Sequence, residues 1–232
     1  MNVSVIIAAA GSSTRMKSDK NKVLTSIAGR PALGWSLELF QATEEVQEII
    51  IAGAEGDIAE IRDIAMPYSK VRLIIGGGSS RMSSVMLCLG RIGDEIDKIA
   101  VHDAARPLLS MRDWQTLIQA AANCSAVILA TPIADSIKLV DENVVLKSIP
   151  RENALAVQTP QIFDRHLLLK AYRAAVKGEY NATDDAALVE RIGGRVSVIL
   201  SRDPNFKITY SHDLLLADLL LKKRQDNSGG QK

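Results

Sequence analysis

The chain of 232 residues is 47% hydrophobic and 24% charged, long enough to bury roughly 70% of its unfolded surface in a single core. Its 28 Lys and Arg stand against 27 Asp and Glu, a net charge of +1, so no whole-molecule field draws in nucleic acid or an anionic membrane. Two Trp, four Tyr and three Phe are too few for the stacking platforms of single-strand binders, and no apolar run approaches the roughly 18 residues of a membrane span.

Residues 3–10 form a short apolar run that reads as a buried strand. A helix follows at 32–41, with Leu33, Leu37 and Phe40 on one face, then a strand at 46–52, a helix at 58–65, a strand at 71–75, a helix at 82–92, a strand at 98–101 and a helix at 111–122. This alternation predicts an α/β fold: a Rossmann-like, mostly parallel twisted sheet with helices on both faces and ligands at the carboxyl ends of its strands. After a strand at 127–130 the rhythm changes, because 135–140 and 144–149 flank the polar turn Asp141-Glu142-Asn143 and read as a β-hairpin. A lone hairpin is marginal in water, so this arm, about 133–151, is expected to pack on something, a second subunit being one candidate. Helices at 164–176 and 184–192, a strand at 195–200 and a Leu-rich helix at 213–224 complete a single domain of residues 1–224. A disordered tail is expected at 225–232. Cys88 and Cys124 make no metal-ligand spacing and no basic residue precedes the first apolar run, so the expected compartment is the cytoplasm.

Three segments carry candidate chemistry, all at the presumed ligand edge. The first strand runs into Gly11-Ser12-Ser13-Thr14-Arg15-Met16, whose small residues let a backbone approach a ligand and whose N–H groups can cradle phosphate, with Arg15 and Lys22 on the same loop. An ordinary strand-to-helix turn with solvated cations fits equally well. The loop is neither a Walker loop nor a dinucleotide fingerprint. Gly76-Gly77-Gly78-Ser79-Ser80-Arg81 is a second glycine cluster opening a helix, with a flexible turn as its plain alternative. Val101-His102-Asp103-Ala104-Ala105-Arg106-Pro107 is the most informative: a carboxylate there can hold a metal ion on a polyphosphate, while His102 reads as a hydrogen-bonded structural residue.

Together with Gln158-Thr159-Pro160-Gln161, Thr183-Asp184-Asp185-Ala186 and Asn205-Phe206-Lys207-Ile208-Thr209, these segments resemble the 2-C-methyl-D-erythritol 4-phosphate cytidylyltransferase family over roughly residues 3–221. The resemblance implies an enzyme that moves CMP from CTP to that alditol phosphate, with Mg²⁺ or another divalent cation. It also implies a homodimer whose arms cross to the partner, and no nucleic-acid or membrane partner. It places the cytidine against Ala9, Ala10, Gly11, Gly77, Gly78, Ser79 and Ser84, and assigns Asp103 and Ala104 to the nucleotide, with Asp103 also serving the metal. Arg15 and Lys22 fall on the triphosphate. Arg151 and Lys207 fall on the substrate phosphate, and Ser136, Thr159 and Thr183 match substrate-site positions. Ser13, Asn21 and Ser83 depart from the family pattern, standing where a glycine, a proline and an acidic residue are usual. Three other readings stay open at this point: a cytidylyltransferase for another alditol phosphate such as ribitol 5-phosphate, a sugar 1-phosphate nucleotidyltransferase, and an inactive nucleotide-binding regulator.

Overall fold

The computed structural model describes residues 1–11 and 21–229. Strand β1 (Val3–Ala9) lies inside the main sheet. Its side chains alternate, Val3, Val5, Ile7 and Ala9 entering one core and Ile6 the other, as the two-residue period of a strand requires. Both faces are covered, which is why the strand reads as an unbroken apolar run.

The chain continues through a small ribbon, β2 (Ser26–Ile27) and β3 (Arg30–Pro31), into α1 (Ala32–Gln41), β4 (Val46–Gly53), α2 (Ile58–Ala65), β5 (Val71–Gly76), α3 (Arg81–Leu89), β6 (Lys98–Asp103), α4 (Met111–Ala121) and β7 (Ala126–Pro132). The arm follows, β8 (Ile137–Asp141) and β9 (Val144–Ile149), then β10 (Leu155–Asp164), α5 (Arg165–Lys177), α6 (Asp185–Arg191), β11 (Ser197–Leu200) and α7 (Ser211–Gly229). Among the described residues seven strands form the main sheet in the order β11-β7-β10-β6-β1-β4-β5. β10 runs antiparallel to both its neighbours, and the other pairings are parallel. This is the Rossmann-like architecture expected, with one strand reversed.

Helices α1, α2 and α4 cover one face with Leu33, Leu37, Phe40, Ile61, Trp114 and Leu117, and α3, α5 and α6 cover the other with Val85, Leu89, Leu168, Tyr172 and Val189. Each such side chain, fully buried, contributes about 1.5 to 3 kcal/mol. A third, smaller core under α7 gathers Ile27, Leu108, Ile208, Ala217 and Leu221.

Besides the short β2–β3 ribbon, for which the sequence expectation has no element, β10 and the last helix differ from it. β10 is absent from it, because Gln158, Thr159 and Gln161 interrupt the apolar run and Pro160 reads as a strand breaker; those polar side chains are nevertheless buried. The last helix also runs to Gly229 instead of giving way to a tail at 225. Gln225 extends it, donating its side-chain amide to the Ala28 carbonyl at 3.4 Å, and residues 230–232 of the expected tail lie outside the described residues. The arm is a two-stranded hairpin as expected, turning through Glu142 and Asn143, both at positive φ, which is the twist a tight hairpin needs.

Candidate active site

The chain leaves β1 toward β4 on one side of it while β6 flanks it on the other, and the crevice at such a reversal is where open α/β sheets bind ligands. A cleft of about 370 Å³ opens there, lined by Ala8 near the end of β1 with Ala10 and Gly11 beyond it, residues 78–81 beyond β5, Asp103 at the end of β6 with Ala105 beyond it, and by Lys22 and Lys207.

The glycine loop is held from both ends. A Cβ on Gly77 would lie 2.4 Å from the Ala10 Cβ, 2.9 Å from Ser84 Oγ and 3.3 Å from the Gly53 carbonyl, so only glycine lets this loop close against β1. The Gly77 N–H donates to Gly53 O at 2.7 Å. Ser84 Oγ accepts from the Gly78 N–H at 3.0 Å and donates to Ser80 O at 2.8 Å. Ser80 caps α3: its Oγ accepts from the Ser83 N–H at 3.0 Å while Ser83 Oγ accepts from the Ser80 N–H at 2.8 Å. Ser83 therefore completes the capping box that an acidic residue would otherwise close.

Asn21 plays a similar part for Lys22. Its Oδ1 accepts from the Val23 N–H at 3.4 Å, and its Nδ2 donates to Asp57 at 2.7 Å and to the Ala9 carbonyl at 3.4 Å. The turn carrying Lys22 is thereby pinned to the end of β1, with the lysine buried along the cleft wall.

His102 and Asp103 are consecutive in β6 and so face opposite sides of the sheet. Asp103 meets α3: Oδ1 accepts from Arg81 Nε at 2.8 Å and Oδ2 from Lys207 Nζ at 2.7 Å. Burial alone would raise its pKa, but Arg81 and Lys207 outweigh that and hold the carboxyl well below the usual range. His102 meets α1 instead, its Nε2 3.2 Å from Ser36 Oγ, its Nδ1 3.3 Å from Thr159 Oγ1 and its ring edge-on to Phe40. Burial, opposed by the Asp103 carboxylate, pushes its pKa down to about 3, so the imidazole is neutral and structural.

The remaining expected site residues are scattered. Ala104 donates its N–H to Ala8 O at 3.1 Å and Ala9 is buried within β1. Thr159 is buried with its hydroxyl accepting from the Asp103 N–H at 3.0 Å, so it shapes the site from behind. Ser136 and Thr183 are exposed, at the root of the arm and just before α6. Arg151, on the arm, donates Nη1 to Ala134 O at 2.7 Å and is not among the described residues lining this chain's cleft. Arg15 and Ser13 lie outside the described residues.

Several residues in the site region stand in the strings singled out from the sequence but have no site role assigned there. Arg81 lines the cleft and pairs with Asp103 and Asp185. Buried Asn205 donates to the Gln158 side chain at 3.1 Å and to Thr159 O at 2.9 Å, and Arg106 donates to Asn205 O at 2.8 Å. The available signal was their place beside assigned residues, Arg81 closing the glycine cluster, Arg106 three positions after Asp103 and Asn205 two before Lys207.

Residues 3–223 match the family described as IspD, 2-C-methyl-D-erythritol 4-phosphate cytidylyltransferase. A protein of that name from Caldanaerobacter subterraneus subsp. tengcongensis is 37% identical over 227 residues, covering 96% of this chain and all of that one. One from Symbiobacterium thermophilum is 40% identical over 222 residues, covering 95% and 93%. Among solved structures, the 4-diphosphocytidyl-2C-methyl-D-erythritol synthase of Anaerococcus prevotii superposes with a TM-score of 0.84 at 29% identity over 95% of this chain and 98% of that one. The cytidylyltransferase of Thermus thermophilus gives 0.77 at 31% over the same shares.

Proposed function

The chain belongs to the 2-C-methyl-D-erythritol 4-phosphate cytidylyltransferase family and transfers CMP from CTP to 2-C-methyl-D-erythritol 4-phosphate, and from that premise we propose which of its residues carry the step. The observation that bears most weight is the convergence of Lys22, the 78–81 loop, Asp103 and Lys207 on one cleft at the carboxyl edge of the sheet.

An oxygen of the acceptor phosphate attacks the α-phosphorus of CTP, the bond from that phosphorus to the bridging oxygen breaks, and pyrophosphate leaves. The second pKa of a phosphate monoester is near 6, so the nucleophile is already ionised at neutral pH and no general base is needed. Neutral His102 fits a reaction without one. What the step requires is alignment and charge neutralisation between two anions. Lys22 serves the triphosphate together with Arg15, and Lys207 serves the acceptor phosphate. One cation 4 Å from an anion interacts by about 4 kcal/mol at an effective dielectric of about 20, enough for each to matter. The cytidine lies against the backbone at 9–11 and at 77–79, with Ser84 holding the glycine loop in place for it.

The reaction class uses a divalent cation, and Mg²⁺ is our assignment. Among the described residues no three His, Cys, Asp or Glu side chains cluster as a metal cage. Of the described residues lining the cleft, Asp103 would contribute to holding the ion, in keeping with the few carboxylates beside substrate phosphates that Mg²⁺ sites use. Bound there, the ion would neutralise triphosphate charge.

The functional unit is a homodimer in this reading. Leu139, Val140, Val144, Val145 and Leu146 are all exposed on the arm, apolar side chains that an isolated subunit leaves in water. Arg151 at its root reaches the partner's acceptor site, consistent with its place outside its own cleft. No helix among the described residues is long and apolar enough to cross a membrane; we place the protein in the cytoplasm, in keeping with two free cysteines.

The test is pyrophosphate release with Mg²⁺ and either CTP or UTP, using 2-C-methyl-D-erythritol 4-phosphate or ribitol 5-phosphate as acceptor. CTP with the methylerythritol phosphate should give the highest kcat/KM, since exchanging donor and acceptor edges on the base leaves a fixed partner unsatisfied. Equal values for CTP and UTP would overturn the base pocket, and preference for ribitol 5-phosphate would overturn the acceptor.

A further inference from the structure

At the start of α3, Arg81 joins Asp103 to a buried carboxylate, Asp185, and the reaction as described uses neither Arg81 nor Asp185. Arg81 follows the glycine loop directly. Its Nε donates to Asp103 at 2.8 Å and its Nη1 pairs with Asp185 at 2.8 Å. Asp185 is 1% exposed, opens α6 and does not line the cleft. Its second oxygen accepts from the Tyr172 hydroxyl at 2.5 Å. The neighbouring Asp184 accepts from Gln161 Nε2 at 2.9 Å, and Gln161 Oε1 accepts from the Ala186 N–H at 3.1 Å. The start of α6, with Thr183 just before it, is therefore fastened to β10 and α5, and Arg81 ties this block to the nucleotide loop.

We propose that Arg81 is a positioning residue for the transfer: spanning Asp103 and Asp185, it locks the glycine loop to the 183–186 segment and so sets the spacing at which the nucleotide and the acceptor phosphate meet. The planar guanidinium suits this role, because one rigid fork reaches two carboxylates in different directions whereas an ammonium acts as a point charge. Both carboxylates are buried; Asp103 would keep Lys207 if Arg81 left it, whereas Asp185 would keep only the Tyr172 hydroxyl among the described residues, so loss of the bridge strands the Asp185 charge, which keeps it closed. Asp185 does not line the cleft, whereas Arg81, its ion-pair partner, does, so the bridge is a direct route by which altering Asp185 would reach turnover. The proposal rests on the assignment of the cleft to CTP and of the Thr183 side to the acceptor.

The experiment measures kcat and both KM values for Asp185→Asn, Tyr172→Phe, Arg81→Lys and the Arg81→Lys, Asp185→Asn double variant, with CMP binding measured by calorimetry and melting temperature recorded for each. Misplacement of reacting groups costs rate before it costs binding, so Asp185→Asn should lower kcat about tenfold or more while CMP affinity and the KM for CTP change less than about threefold. Tyr172→Phe, which keeps the ring and removes one hydrogen bond, should lower kcat by a smaller factor in the same direction. The double variant should be little worse than the worse single one, as residues acting through one contact are non-additive. Folded Asp185→Asn with wild-type kcat, or losses that simply multiply in the double variant, would overturn the bridge. If Asp185→Asn does not fold, Tyr172→Phe decides, wild-type kcat counting against the proposal. A wild-type enzyme that fails to transfer CMP would sink the underlying reading instead.

Discussion

His102 and Asp103 share a strand and face opposite cores, and their protonation is coupled to stability in different pH windows. The imidazole titrates near 6.5 in an unfolded chain and at about 3 when folded. Between those values the unfolded state binds the extra proton, so stability is full above about 6.5 and falls as pH drops, at about 1.4 kcal/mol per unit for a full proton difference. Asp103 is held low by Arg81 and Lys207 against its burial; its contribution is present above the unfolded carboxylate value of about 3.9 and is lost only below it. We therefore expect the melting temperature of His102→Gln to vary less than that of wild type between pH 6.5 and 4.5, and Asp103→Asn to flatten the profile only below about pH 4. Identical slopes for His102→Gln and wild type across the upper window would contradict the buried neutral imidazole. Lys22, Asp103 and Lys207 were legible in the sequence as cations and a carboxylate in recognisable strings. The bridge from Arg81 to Asp185 was not, because nothing local marks two residues 104 positions apart as partners.

The glycine loop shows what element-scale packing demands. Gly77 has no room for a methyl group between Ala10, Ser84 and Gly53, and Ala10 cannot swing aside as a long side chain would. Gly77→Ala should raise the KM for CTP by about tenfold, corresponding to about 1.4 kcal/mol of lost binding, with a smaller change in the KM for the acceptor. An unchanged KM for CTP in steady-state kinetics would show that the loop does not form the base site. The alternation of helices and strands was readable because each element buries one continuous or periodic apolar face. β10 was not readable, because its central residues Gln158, Thr159 and Gln161 are buried for tethering: Thr159 holds the Asp103 amide and Gln161 holds the start of α6. Polar residues in a central strand mimic a loop until their partners are known. The end of α7 was hidden for a similar reason, since the contact from Gln225 to Ala28 spans 197 residues.

On the scale of the whole molecule, the arm is a β-ribbon whose apolar residues face solvent and whose root carries an arginine outside its own cleft. If Arg151 serves the partner's site, Arg151→Ala and Lys22→Ala remove opposite sides of one shared pocket. Each variant alone should lose about 10²-fold in turnover, the scale for one preorganised charge-stabilising donor. Subunit exchange at equal amounts makes half the dimers mixed, each with one intact site of two, so activity should recover to roughly a quarter of wild type by symmetry. No recovery above the single variants, after exchange is verified by mass, would place Arg151 in its own subunit's site.

The most direct measurement follows the phosphorus that moves. With CTP labelled at the α-phosphate and 2-C-methyl-D-erythritol 4-phosphate as acceptor, the label should appear in a cytidine diphosphate ester in one-to-one proportion with pyrophosphate, the phosphate of the acceptor being retained in the product. Label recovered as free CMP, or none leaving CTP while the acceptor is present in excess, would contradict transfer in this cleft.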